Sequence, residues 1–237
     1  MKFTVCIPMY NESKIIADTA KTLSAYMSEN FDEYEIIFSD DGSTDSSAEI
    51  VKALNLPFVK VIGYADNRGK GSAVREAMLA SSGDAVMFTD SDLAYGTEVI
   101  GRVAQAFSEN PECDLVVGSR SIDENGYEGY TFIRKVASKT YLAILKIIGG
   151  LKVSDSQCGC KAFSKTAAKR VFANCTVNRF AFDLEALLIA DKCGYKVKEI
   201  PVRVINHGDS KVSVLKDSFK MLRDIIKMKK RISKLEL

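Results

Sequence analysis

Phe3-Thr4-Val5-Cys6-Ile7 runs into Pro8-Met9-Tyr10-Asn11-Glu12, and Tyr34-Glu35-Ile36-Ile37-Phe38-Ser39 runs into Asp40-Asp41-Gly42-Ser43-Thr44-Asp45. In both stretches a short apolar, β-rich run breaks off into polar, turn-forming residues. The pattern recurs at Phe58 to Tyr64, Ala85 to Thr89 and Leu115 to Gly118. Helix-like segments, Ser13 to Ser28, Ser46 to Leu54, Gly71 to Ser82 and Glu98 to Glu109, fill the intervals. Strands alternating with helices predict a mostly parallel α/β sheet with helices on both faces. In such a sheet ligands bind beyond the carboxyl ends of the strands, where these polar strings fall.

After Gly118 the alternation loosens. Arg134 to Gly150 reads as helical, Lys161 to Ser164 as a short strand, Phe182 to Lys192 as a helix, Lys196 to Ile205 as a strand and Val212 to Ile232 as a last, basic amphipathic helix. There is no internal repeat, and no Gly/Ser/Pro-rich linker divides the chain. At 237 residues and 46% hydrophobic composition it can fill one substantial core, so residues 1–237 are expected to form one domain.

The net charge of +2 gives no reason to expect a nucleic-acid partner. Its distribution is uneven, since residues 211–237 hold nine basic and three acidic side chains. Six cysteines occur without a CxxC pair, and the single His207 cannot complete a finger-like zinc site with them, which fits a reduced cytoplasmic setting. No secretory signal is visible, and no apolar window reaches the ~20 residues a spanning helix needs. Membrane contact is therefore expected to be peripheral, at the cytosolic face. Its candidates are the stripe Leu215, Phe219, Leu222, Ile226 and the segment Tyr141 to Leu151.

Three strings carry candidate chemistry. Asp40 and Asp41 could accept hydrogen bonds from a base or a ribose, although Ser43, Thr44 or Asp45 would look similar if they merely capped the next helix. Asn67-Arg68-Gly69-Lys70-Gly71 could bring backbone N–H groups and Lys70 to phosphates, or could be an ordinary basic turn. Asp90-Ser91-Asp92, at the end of the fourth strand, offers paired carboxylates to a hard cation such as Mg²⁺ or Mn²⁺, which could bridge a diphosphate.

Taken in order, these strings resemble the nucleotide-sugar domain of family 2 inverting glycosyltransferases, a GT-A-type domain. Val116-Val117-Gly118-Ser119-Arg120, Asp155-Ser156-Gln157-Cys158-Gly159-Cys160-Lys161-Ala162-Phe163 and Arg179-Phe180-Ala181-Phe182-Asp183-Leu184-Glu185 narrow the likeness to polyprenyl-phosphate sugar synthases of the dolichyl-phosphate glucosyl- and mannosyltransferase kind. The resemblance implies that Pro8, Tyr10, Glu12, Asp40 and Asp41 surround the base and ribose. Asp66 and Lys70 would lie near the nucleotide or diphosphate, and Asp90 and Asp92 would hold metal and donor. Arg120, Arg134 and Ser138 would receive the lipid phosphate. Two departures stand out: Ala94 replaces a glutamine common in the mannosyl enzymes, and His207 or Lys211 would have to replace a missing arginine.

The implied reaction is metal-dependent, inverting transfer of a hexose to dolichyl or undecaprenyl phosphate, with UDP-glucose favoured as donor over GDP-mannose. The acceptor phosphate is already ionised near neutral pH, so no general base is required. Asp183 and Glu185, at positions where other members keep an acid or base, would orient the sugar or neighbouring basic groups, or lie on a plain surface helix. The rivals are a transferase acting on a hydroxyl, for which Asp183 or Glu185 would be the base, and a non-catalytic partner protein recruited to membranes.

Overall fold

The structure, a computed structural model, describes residues 1–128, 142–143, 150, 152–179, 181–205, 225 and 227–236. Its first half alternates as expected: β1 (Phe3–Met9), α1 (Ile16–Asn30), β2 (Tyr34–Asp40), α2 (Ser47–Ala53), β3 (Val59–Gly63), α3 (Lys70–Ala80), β4 (Ala85–Phe88), α4 (Glu98–Glu109) and β5 (Leu115–Ser119). Then follow β6 (Lys161–Ser164), α5 (Lys165–Asn174), α6 (Phe182–Lys192) and β7 (Val197–Pro201). Residues 225 and 227–233 are helical.

The seven strands form one sheet in the order β3-β2-β1-β4-β6-β5-β7. Strand β1 pairs in parallel with β2 and β4, β2 with β3, and β5 with β7, while β6 runs antiparallel between β4 and β5. Both faces are covered, which is why β1 reads as a continuous apolar run rather than an alternating one. Along β1 the side chains still alternate: Cys6 faces the core beneath α3, α5 and α6, whereas Phe3, Val5, Ile7 and Met9 face the core beneath α1 and α4. On the first face Phe172 packs edge-on against Phe88 and Phe163, with centroids 6.4 and 5.2 Å apart, and truncating such a ring costs roughly 3–5 kcal/mol.

Helix α5 was absent from the sequence expectations. Ser164 caps it by accepting from the Ala167 N–H at 3.3 Å, and Ala167, Ala168, Val171 and Phe172 form its buried face.

Of the two alternatives for Asp183 and Glu185, the plain surface helix is overturned. Every residue from Phe182 to Ala190 is buried, because α6 packs beneath the sheet. The described residues at the C-terminal end pack onto the same domain. Ile225, Met228 and Ile232 enter the same core, and Lys192 Nζ donates to the Ile232 and Ser233 carbonyls at 2.7 and 2.8 Å. The stripe Leu215, Phe219, Leu222, Ile226 and most of 141–151 lie outside the described residues.

Candidate active site

The sheet reverses direction of growth at β1, which has β2 on one side and β4 on the other. A crevice outside the carboxyl ends of the strands follows from this switch point. The loops after β1 and β2 are tied together there. The side chain of Asn11, at φ 54°, accepts from the Thr44 N–H at 2.8 Å, the Asn11 N–H donates to Ser43 Oγ at 3.0 Å, and the Glu12 N–H donates to Ser47 Oγ at 2.8 Å. Pro8 is buried in β1, while Tyr10 beyond it is exposed and Glu12 and Asp40 are half-buried.

Asp40 accepts from the Ser43 hydroxyl and N–H. Asp41 is only 3% exposed. Its carboxylate accepts from Tyr64 Oη at 2.5 Å, Asn67 Nδ2 at 3.0 Å, the Arg68 N–H at 3.0 Å and the Gly69 N–H at 2.9 Å. That carboxylate organises the loop leading to α3, and Asp66 remains exposed on its outer side. Gly42, at φ +70°, permits the close approach: a Cβ there would meet the Asp66 carbonyl carbon at 2.6 Å and the Asn67 nitrogen at 2.7 Å.

The loop's glycines also serve packing. Gly69 and Gly71 lie against Asn178, Val177 and Phe182, where any Cβ would collide with backbone. Arg68 stacks over the Tyr64 ring, 4.3 Å from its centroid.

Lys70, the first residue of α3, reaches across to pair with Asp90. Burial works against the Lys70 charge, but Asp90, Asp183 and Asp92 outweigh it and hold its pKa above the usual lysine value. Asp92 accepts from the Ala94 N–H at 3.0 Å, and burial together with the charge of Asp90 pushes its carboxyl pKa up. A left-handed Leu93, at φ 47°, turns the chain just after this pair. Asp183 joins the same group from α6. Burial raises its carboxyl pKa, Lys161 and Lys70 oppose the rise, and Asp90 adds to it.

At the end of β5, Arg120 grips the wholly buried Asp155 side-on, with Nε and one terminal nitrogen donating at 2.7 and 3.0 Å. The guanidinium also lies 5.8 Å from the Tyr127 ring centroid. Asp155 is held below the usual carboxylate range by Arg120, against the effect of burial. Arg134, Ser138, His207 and Lys211 lie outside the described residues.

The sequence reading passed over Lys161 and Gly159 as individual site residues. Lys161 is fully buried, donates to Asp183 Oδ1 at 2.7 Å and to the Cys158 carbonyl, and lies 5.7 Å from the Phe88 ring centroid. Gly159 lies so close to Asp90 that any Cβ would overlap its carboxylate. The signal that could have found both was the Gln157–Lys161 string. A lysine opening an otherwise apolar strand needs a buried counter-charge.

A mixed, mostly parallel sheet carrying acidic strings at the ends of β2 and β4 has the architecture of a GT-A-type glycosyltransferase domain. The family model described as glycosyl transferase family 2 matches residues 4–172, and the chain belongs to that family. It is 33% identical over 237 residues to a dolichyl-phosphate beta-glucosyltransferase of Trichomonas vaginalis, covering 95% of this chain and 70% of the relative. It is 30% identical over 241 residues to the dolichyl-phosphate beta-glucosyltransferase of Dictyostelium discoideum, covering 96% and 74%. Among solved structures, glucosyl-3-phosphoglycerate synthase of Mycobacterium tuberculosis in complex with UDP matches with a TM-score of 0.69 at 22% identity, over 99% of this chain and 81% of that one. The same enzyme in complex with Mn²⁺, UDP-glucose and phosphoglyceric acid matches with a TM-score of 0.69 at 21% identity, covering 99% and 81%. At that identity the likeness concerns the fold.

Proposed function

We propose that this glycosyltransferase passes glucose from UDP-glucose to a polyprenyl phosphate, with inversion at the anomeric carbon and with Mg²⁺ or Mn²⁺ at Asp90 and Asp92. The names of the two sequence relatives support the acceptor class and the sugar. The observation that carries the reading is the gathering of Asp90, Asp92, Lys70 and Asp183 at one end of the sheet. Carboxylates there can face a cation, while an ammonium can face a phosphate.

The donor set fits a hard divalent ion. Asp92 has a raised carboxyl pKa because it is buried beside Asp90, and a divalent charge would relieve that repulsion. Among the described residues there is no cluster of three or more His, Cys, Asp or Glu side chains suited to a metal, so diphosphate oxygens and water would complete the shell. When bound, the ion offsets charge developing on the leaving diphosphate. Lys70 orients the phosphates, and Asp40, Tyr10 and Glu12 line the nucleotide end. Arg120, with Arg134, Ser138 and Lys211, serves the acceptor phosphate.

In the transfer, an acceptor phosphate oxygen forms the bond to the sugar's anomeric carbon as the bond to the diphosphate oxygen breaks. UDP leaves with the electron pair. No proton has to move, since the attacking oxygen is already anionic. Catalysis then rests on placing two anionic groups in line and neutralising both.

A lipid acceptor brings the protein to a membrane surface on its cytosolic face. No helix among the described residues is long and apolar enough to cross a membrane. Lys227, Lys229 and Lys230 are exposed while Met228 and Ile232 face the core, so headgroup attraction at this helix is electrostatic.

One observation favours a second reading. A buried Asp183 with a raised carboxyl pKa would suit a general base for a hydroxyl acceptor. Supplying purified protein with Mn²⁺, radiolabelled UDP-glucose and either polyprenyl phosphate or the unphosphorylated polyprenol separates the two. Label in the organic phase only with the phosphate is the expected result. Label with the alcohol favours the second reading, and label with neither overturns both lipid acceptors.

A further inference from the structure

Burying a lysine and an aspartate together is costly, and replacing such a pair with apolar groups of similar volume is often neutral or stabilising. The Lys161–Asp183 pair is such a case. Lys161 is 0% exposed and Asp183 7%, and their charges meet at 2.7 Å between the first residue of β6 and the first turn of α6. The fold does not need an ion pair to join these elements, because Phe163, Phe172, Phe182 and Leu184 already pack there in one apolar cluster. Stability therefore gives no account of the pair. Its position does. Lys161 lies two residues after Gly159, against which the Asp90 carboxylate rests, so the pair sits beside Asp90, and Asp183 acts electrostatically on both Asp90 and Lys70.

The bend that leads into β6 also shapes the next carboxylate along. Cys158, Cys160 and Ala162 all enter the core beneath α1 and α4, so Gly159 and Lys161 lie on the opposite side of the chain. Gly159, two residues before Lys161, leaves room for Asp90, and its N–H donates to the Tyr95 hydroxyl at 3.2 Å. Residues 159 and 161 thus present a gap to one acid and an ammonium to another. The Cys158 carbonyl and the Phe88 ring fix that ammonium, so it can hold Asp183 in one orientation.

We infer that Lys161 is a positioning residue for the donor sugar: it holds the Asp183 carboxylate so that the carboxylate accepts hydrogen bonds from sugar hydroxyls of a nucleotide-diphosphate sugar. The inference rests on the nucleotide-sugar reading above. It does not depend on which acceptor the enzyme uses. Asp183 contacts the sugar, and Lys161 acts through Asp183.

The test compares the affinities of UDP and UDP-glucose, each with Mn²⁺, by calorimetry on the full chain. Lys161→Met should leave UDP binding within about twofold of the unmodified protein. Affinity for UDP-glucose should fall about tenfold, the loss of one hydrogen bond to a charged group. Asp183→Asn should do the same, and the double variant should be no worse than either single change, because both act through one contact. Lys161→Met strands a buried carboxylate, so it has the greater risk of misfolding; the double variant leaves neither charge behind and keeps the test open. If the double variant binds UDP-glucose as tightly as the unmodified protein, the pair is structural and the inference fails. Equal losses for UDP and UDP-glucose also overturn it, as does an unmodified protein that gains nothing from the glucose. A protein that discriminates as expected but glucosylates no polyprenyl phosphate overturns the acceptor reading alone.

Discussion

Two acidic strings stand at the ends of β2 and β4, on either side of β1, and meet opposite fates. At the end of β2, Asp41 receives hydrogen bonds from a tyrosine, an asparagine and two backbone N–H groups, all from the loop before α3. At the end of β4, burial and the charge of Asp90 push the Asp92 carboxyl pKa up, and Lys70 pairs with Asp90. The first string spends its charge on the chain's own donors and so builds a wall. The second concentrates charge in a place where, on the proposed function, a bound cation would gain from it. Carboxylates that look alike in sequence are told apart by where their hydrogen-bond donors come from.

The largest expected effect falls on the second string. Asp92→Ala should lower the rate of glucosyl transfer roughly a thousandfold, because the leaving diphosphate loses its counter-ion. EDTA should silence the unmodified enzyme to a similar degree in the radiolabel assay. Full activity in EDTA would erase the contrast between the strings. Next comes Asp41→Ala, which should cost about 3 kcal/mol in urea denaturation, since it strands several donors at once. UDP binding should weaken with it as the loop loosens. An unchanged denaturation midpoint would show that the wall does not depend on this side chain.

The smallest effect concerns Asp45, the last acid of the first string. Hydrogen bonds from Ser47 and Ser13 outweigh the effect of burial and bring its carboxyl from 3.8 down to about 2. A depressed folded pKa contributes stability that is present above pH 3.8 and lost as the pH falls toward about 2. Asp45→Asn should therefore destabilise the protein by under about 1 kcal/mol at neutral pH, allowing for solvent screening, and by less as the solution is acidified. Denaturation curves at several pH values would measure the trend. A constant difference across that range would assign the role to packing instead of charge.

How much of this was legible in the sequence varies along the chain. From Phe3 to Ser119 each strand and helix announced itself by an apolar run broken by Gly, Asp or Asn, and the boundaries shifted by only a few residues. The second half was less readable because its organisation is long-range. Strand β6 was visible as the short run Lys161 to Ser164, but nothing in its period reveals that it runs antiparallel between β4 and β5. Helix α5 follows it without a break, and the capping Ser164 doubles as the strand's last residue, so the join masked the start of the helix. In the site, the Asp90-x-Asp92 pair could be nominated from spacing. The burial of Asp183 and its pairing with Lys161, 22 residues earlier, could not, since neither is written in local pattern.

The Glu185 carboxylate draws on both ends of the second half. It accepts from the Thr176 and Val177 N–H groups at 2.8 Å each and from Arg231 at 2.6 Å, and it is wholly buried. On the ribosome, α6 is made 46 residues before its arginine partner. Until that arginine emerges, the glutamate has to be sheltered without its counter-charge or the helix has to stay undocked. In the second case segment 175–179, which leans on the Lys70 turn through Gly69 and Gly71, settles only afterwards. The nascent domain then completes the surroundings of Lys70 late in synthesis, and on the proposed function a chain stalled before residue 231 would present the strands without a finished place for the nucleotide.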